Sequence, residues 1–147
     1  MFFHKRLIPR EEEKTIVEAI KLAEKQTSGE IRVHIESECK EKSPIARAIF
    51  IFDAIGMHQT KLRNGVLIYV ALKSKKFAII GDSGINAVIP DNFWNSTRDS
   101  LKEHFKIGKI TEGIKEAILS TGEILKKEFP YQSDDINEQS DEISYGK

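Results

Sequence analysis

At 147 residues and 16.7 kDa the chain is one domain's worth of protein, with 39 % hydrophobic and 31 % charged residues. That is the balance of a soluble globular fold, not of a disordered segment. Lys plus Arg is 23 and Asp plus Glu is 23, which sets aside nucleic acid held by bulk positive charge.

Cys39 stands alone, so it makes neither an internal disulfide nor a cysteine-built zinc site. The longest strongly apolar run, Val66 to Leu72, is far short of the roughly 20 residues a spanning helix needs. The opening MFFHKRLIPREEEK has no sustained apolar stretch and does not read as a signal peptide. A cytoplasmic monomer without membrane insertion is the expectation.

Residues 10–27 predict a helix, with Ile16, Val17, Ile20 and Ala23 on one face. Glu11, Glu12 and Glu13 suit the positive end of its dipole, and Gly29 closes it. EIRVHIES over 30–37 alternates apolar and polar residues, a strand with one apolar face. Pro44 opens a second helix, IARAIFIFDAIG, so apolar all round that burial is expected. VLIYVAL then reads as a strand inside a sheet. Lys73 to Lys75 make a turn, and KFAIIG returns as its partner.

DSGINAVIP is a connection with room for a short strand. Asp91 is placed to cap a third helix carrying Trp94, Leu101 and Phe105 inward. After Gly108 a fourth helix runs from about Lys109 to Glu128. The order α-β-α-β-β-α-α predicts an α/β fold, a small mixed sheet sandwiched between helices.

Residues 131–147 carry five acids (Asp134, Asp135, Glu138, Asp141, Glu142) and one base, Lys147. The preceding 130 residues therefore hold 18 acids and 22 bases, a net +4. Residues 1–130 read as a single domain, and 131–147 as a disordered acidic tail.

This topology brings acids together. A helix joins strands 30–37 and 65–72, so a parallel right-handed crossover is the default. Glu30 and Asn64-Gly65 then share one end of the sheet. The hairpin returns Gly81-Asp82 to that end, the crossover helix finishes there at Asp53, and Asp91 lies nine residues beyond Asp82. Glu30, Asp53, Asn64, Asp82 and Asp91 are thus candidate ligands for Ca²⁺ or Mg²⁺, which take hard oxygen donors.

Each also has an ordinary reading. Asp53 can pair with Arg47 or Arg63, Asp82 suits a turn, Asp91 suits a cap, and Glu30 and His34 suit a solvated strand face. Phe93 and Trp94 suit a core.

F-D-A-I-G at 52–56, N-G-V-L-I-Y-V-A at 64–71, I-I-G-D-S-G-I at 79–85 and I-P-D at 89–91 occur in that order. Together they resemble the TPM domain over roughly residues 8–128. The resemblance implies a small sheet between helices and a divalent-metal site, usually Ca²⁺, in an acid-lined groove. It carries over Asp53, Asn64, Asp82 and Asp91. It also implies weak acid-phosphatase activity, as in some plant members, or a maintenance or assembly role. The turn here is G-D-S-G where the family has G-x-G, so as a ligand Asp82 would be one that many relatives lack.

Three functions follow. One is a metal-binding domain without robust catalysis, holding a protein segment or a phosphorylated ligand. Another is a metal-dependent phosphatase with Asp53 or Asp82 as base and Lys61 or Arg63 on the phosphate. The last is a protein-interaction domain without metal. G-D-S-G also raises a serine-hydrolase triad of Ser83, His58 and an acid, from four candidate histidines (His4, His34, His58, His104).

Overall fold

Pro9 and three glutamates in the first turn start helix α1, Arg10–Glu24, in the computed structural model, which describes residues 7–132 and 137–146. His4, Asp134, Asp135 and Lys147 lie outside the described residues. Helix α1 stops at Glu24, three residues before the end the sequence predicts. The Ser28 amide and the Thr27 hydroxyl both donate to the Phe129 carbonyl and draw the chain away from the helix axis. Strand β1, Glu30–Glu36, follows.

Helix α2, Pro44–Ala54, has Pro44 in its first turn and Ser43 as cap, the Ser43 hydroxyl accepting from the Ile45 and Ala46 amides. Strands β2, Gly65–Ala71, and β3, Lys76–Gly81, form the hairpin. Where a short strand had room, residues Ser83–Asn86 instead make a helical turn, α3, capped by Asp82. The expected third helix is split: a 3-10 turn covers Asp91–Trp94 with Pro90 in the cap position, and α4 covers Asn95–Lys106. Gly108, at φ +73°, makes the left-handed bend into α5, Ile110–Glu128.

The sheet order is β3-β2-β1-β4, with β4 the two residues Ser144–Tyr145. β1 and β2 are parallel from Glu30↔Gly65 to Glu36↔Ala71, and β3 is antiparallel to β2 from Val66↔Gly81. The mixed sheet between helices is as the sequence predicts. On one face Ile31, Val33, Ile35, Val66 and Ile68 pack with α1 and α5 residues such as Ile16, Ile20, Ile114 and Ile118. On the other, Leu67, Tyr69, Ala71 and Ala78 pack under Ala48, Ile51 and Phe52 of α2.

Helix α2 corrects one expectation. Ile45, Ile49 and Phe50 are each more than half exposed. Only one side of α2 lies on the sheet, and among the described residues no helix covers the other.

The tail is the second correction. Residues 137–146 are ordered against the sheet, and β4 pairs in parallel with His34 and Ile35 of β1. Parallel partners share a face, so the register puts Arg32, His34 and Glu36 on the same face as Leu67, Tyr69 and Ala71. Helix α2 packs on the apolar β2–β3 half of that face. The tail covers the polar β1 half, where Gly146 packs on Glu36 and His34, while Ile143 is buried in the apolar cluster on the opposite face. Glu30 and His34 are accordingly 3 % exposed, not solvated.

This strap is held by acids. Glu30 Oε1 accepts from the Glu138 amide (2.6 Å), and Glu24 shares a side-chain hydrogen bond with Asp141. Burial pushes the Glu30 carboxyl up to about 7; burial, the Asp141 hydrogen bond and the nearby carboxylates also raise Glu24. A carboxyl raised by folding stabilises the fold fully below its unfolded value, and that contribution is lost as pH rises through the folded value. The melting temperature is therefore expected to fall between pH 5 and 8, and Glu30→Gln to flatten that fall. Equal pH slopes for the two proteins would refute the assignment.

Among the described residues no helix is long and apolar enough to cross a membrane.

Candidate functional site

The end of β3, one side of α2, the α3 turn, Trp94 and the first turn of α4 surround an open cleft of about 650 Å³. Asp53, His58, Arg63, Asp82, Ser83 and Arg98 are among its polar lining residues. Asp53 and Asp82 both line it, at the end of the sheet to which the crossover and the hairpin bring them.

Their environments differ. The Asp53 side chain is 85 % exposed, with His58 Nδ1 3.7 Å from its Oδ1. Its partner is His58, neither Arg47 nor Arg63. Asp82 is buried and accepts three hydrogen bonds: Arg63 Nε (2.7 Å) and Nη2 (2.9 Å) donate to its two oxygens, and the Ser83 amide donates to Oδ1 (2.7 Å). Asp82 is thus both the cap of α3 and one half of a bidentate ion pair. Arg63 sits at φ +51°, a backbone position side chains rarely adopt. The Arg63 carbonyl accepts from the Gly84 amide (2.8 Å), which ties the 56–64 loop to G-D-S-G.

The other candidates lie apart. Asn64 is 1 % exposed and does not line the cleft. Its amide donates to Thr60 Oγ1 (3.3 Å), its carbonyl accepts from the Glu30 amide (3.2 Å), and its Oδ1 has no partner. Glu30 lines a second cavity of about 160 Å³ with Glu24, Thr27, Ser28 and Asn137. Sharing one end of the sheet is not sharing one side of it. Asp91 opens the 3-10 turn, and its side chain is outside what the structure describes. Among the described residues no group of three or more His, Cys, Asp or Glu is assembled to hold a metal ion.

Ser83 and His58 both line the cleft, but His58 faces Asp53, and among the described residues no hydrogen bond joins it to the Ser83 hydroxyl. Trp94 is buried, as expected, and Phe93 is half exposed.

Sequence reasoning missed Arg98 and the apolar wall of α2. Arg98 follows Trp94 by four residues, the helical spacing that puts both on one side, and this was the available signal. It also missed a buried network at the opposite end of β1. The Arg47 guanidinium donates twice to Glu36 (2.9 and 3.0 Å), the Tyr69 hydroxyl donates to the same carboxylate, and His34 Nε2 lies 3.4 Å away.

The TPM domain family model matches residues 2–124. The NMR structure of the BA42 protein from the psychrophilic bacterium Bizionia argentinensis is similar at 46 % identity and a TM-score of 0.89, over 99 % of this chain and 100 % of that one. The N-terminal domain of a protein from P. gingivalis is similar at 19 % identity and a TM-score of 0.68, over 86 % of this chain and 82 % of that one. The N-terminal domain of the cg2496 protein from Corynebacterium glutamicum is similar at 14 % and 0.64, over 81 % and 74 %. These last two show the fold alone. No curated protein matches the chain.

Proposed function

The chain belongs to the TPM domain family, and from that premise we propose that its cleft binds a divalent cation, Ca²⁺ or Mg²⁺, through Asp53 and Asp82. The cation and the guanidinium groups of Arg63 and Arg98 together hold a phosphorylated ligand. The role is one of binding or maintenance, without robust turnover.

The observation that carries this reading is that two carboxylates and two guanidinium groups line one cleft. Two carboxylate donors suit a cation that keeps several waters, as Mg²⁺ does. The Asp82–Arg63 pair suits an exchange. Arg63 neutralises Asp82 when no cation is present, and its side chain is half exposed and so able to turn to a phosphate. Asn64, Glu30 and Asp91 are left out of this set.

Amide NMR after chelator treatment tests it. Saturable shifts are expected at residues 53–58 and 81–86 with Ca²⁺ and Mg²⁺. Asp53→Asn, on an exposed side chain with little structural duty, is expected to weaken binding on the order of tenfold, since affinity follows the count of charged ligands. Shifts confined to the acids of 138–142 would overturn the reading.

His58 beside Asp53, in the same cleft as Ser83, favours a second reading as a weak phosphomonoesterase. Metal-dependent turnover of p-nitrophenyl phosphate that is lost in Asp53→Asn would replace the first reading with this one.

A further inference from the structure

The cleft is larger than a phosphate group needs. Its volume of about 650 Å³ falls in the range of small-molecule pockets, roughly 300–1,000 Å³. Charged groups supply only some of its lining. The rest is walled by Ile45, Ile49 and Phe52 of α2, by Ile79 and Ile80 of β3, and by Trp94.

Ile45 and Ile49 are one helical turn apart and are 54 % and 57 % exposed. The sheet does not need them, since Ala48, Ile51 and Phe52 pack α2 onto it. Phe50, the other large exposed apolar residue of α2, lies under the Arg47 guanidinium at 5.1 Å and does not line the cleft. The uncovered isoleucines are thus the two that face the cavity, which Arg63 and Arg98 also line.

We infer that the ligand is a small phosphomonoester with an apolar body, its phosphate held by the guanidinium groups of the cleft, Arg63 and Arg98, and its aryl or branched alkyl group against Ile45 and Ile49. Charge complementarity fixes the phosphate end, and the apolar wall selects the alcohol. A sugar phosphate would place hydroxyl groups against isoleucine with no polar partner. The inference rests on the phosphorylated-ligand reading above and narrows it.

Binding is measured by amide shifts on the full chain with Mg²⁺ present. The probes are phenyl phosphate, glycerol phosphate, inorganic phosphate and phenol. Phenyl phosphate is expected to bind at least tenfold more tightly than glycerol phosphate or phenol. Ile49→Ser, at a half-exposed position outside the packed core, is expected to cut that preference to about twofold and leave glycerol phosphate affinity unchanged.

Equal affinity for the two esters in the wild type, or a preference that Ile49→Ser leaves intact, overturns the inference while the parent reading stands. No binding of any phosphate, with the cation titration still positive, removes the phosphorylated ligand itself. A tyrosine-phosphorylated peptide that binds tenfold more tightly than phenyl phosphate overturns the small-molecule assignment. A dimer whose interface maps to Ile45 and Ile49 overturns it too, because the wall then covers itself.

Discussion

Glu36→Ala is expected to lower the unfolding free energy by about 3–5 kcal/mol, a large part of the roughly 5–15 kcal/mol that holds a domain folded. The Glu36 side chain is fully buried, and the Arg47 side chain that clasps it is 10 % exposed. Removing the carboxylate strands a guanidinium, the Tyr69 hydroxyl and the Nε2 of His34. Stranding charge costs far more than the pair contributes against an apolar replacement. Glu36→Leu combined with Arg47→Met is therefore expected to recover most of the loss, in urea denaturation of all the variants. A single-mutant loss below about 1 kcal/mol would mean that water reaches the network.

The pH behaviour of the same group runs opposite to that of the strap acids. Burial pushes Glu36 up, but Arg47, Tyr69 and His34 together outweigh burial and hold it below its ordinary value. Its contribution is present above the unfolded carboxyl value and is lost as pH falls through the lowered folded one. The strap weakens toward alkali and the network toward acid, so stability peaks between them.

Gly84→Ala is the second large effect. Alanine is the better helix former by about 1 kcal/mol, and Gly84 lies inside α3 with ordinary backbone angles. Propensity alone predicts a gain. A Cβ at this position would fall on the Leu62 carbonyl oxygen and 2.6 Å from that of Arg63. Both are backbone atoms, so no side-chain rotation relieves the contact. Overpacking of this kind costs about 1–3 kcal/mol, and more where backbone must move.

The expected result is a net destabilisation of at least about 2 kcal/mol, together with loss of the ordered Arg63–Asp82 pair, visible as a large shift of the Ser83 amide. A stabilised Gly84→Ala protein would show that the 62–63 segment yields freely.

G-D-S-G was legible as a turn, and Asp82 as a residue that serves one. The reason for its second glycine was not, because the obstructing carbonyls belong to a loop about 20 residues earlier. Pattern alone predicts the parallel β1–β2 pair, since a helix opened by Pro44 leaves little alternative, and with it the placing of Asp53 and Asp82 at one end of the sheet. Alternation also places Glu30, His34 and Glu36 on a polar face. What buries that face is a two-residue strand, Ser144–Tyr145, reached through an acidic segment. Two residues have no period to read, and acidity alone reads as solvation. The same gap misassigned Glu30: strand order gives the end of the sheet, and only packing gives the side.

The strap also sets an order of events. The His34–Ser144 contact joins residues 110 apart in the chain, whereas β2 and β3 meet across a four-residue turn. Closing so long a loop carries a high entropic cost before any contact rewards it. The hairpin, the crossover and the α4–α5 pair can assemble without it. β4 is therefore the last piece to dock during folding and the first to leave on local opening, and the polar face of β1 spends the interval in water.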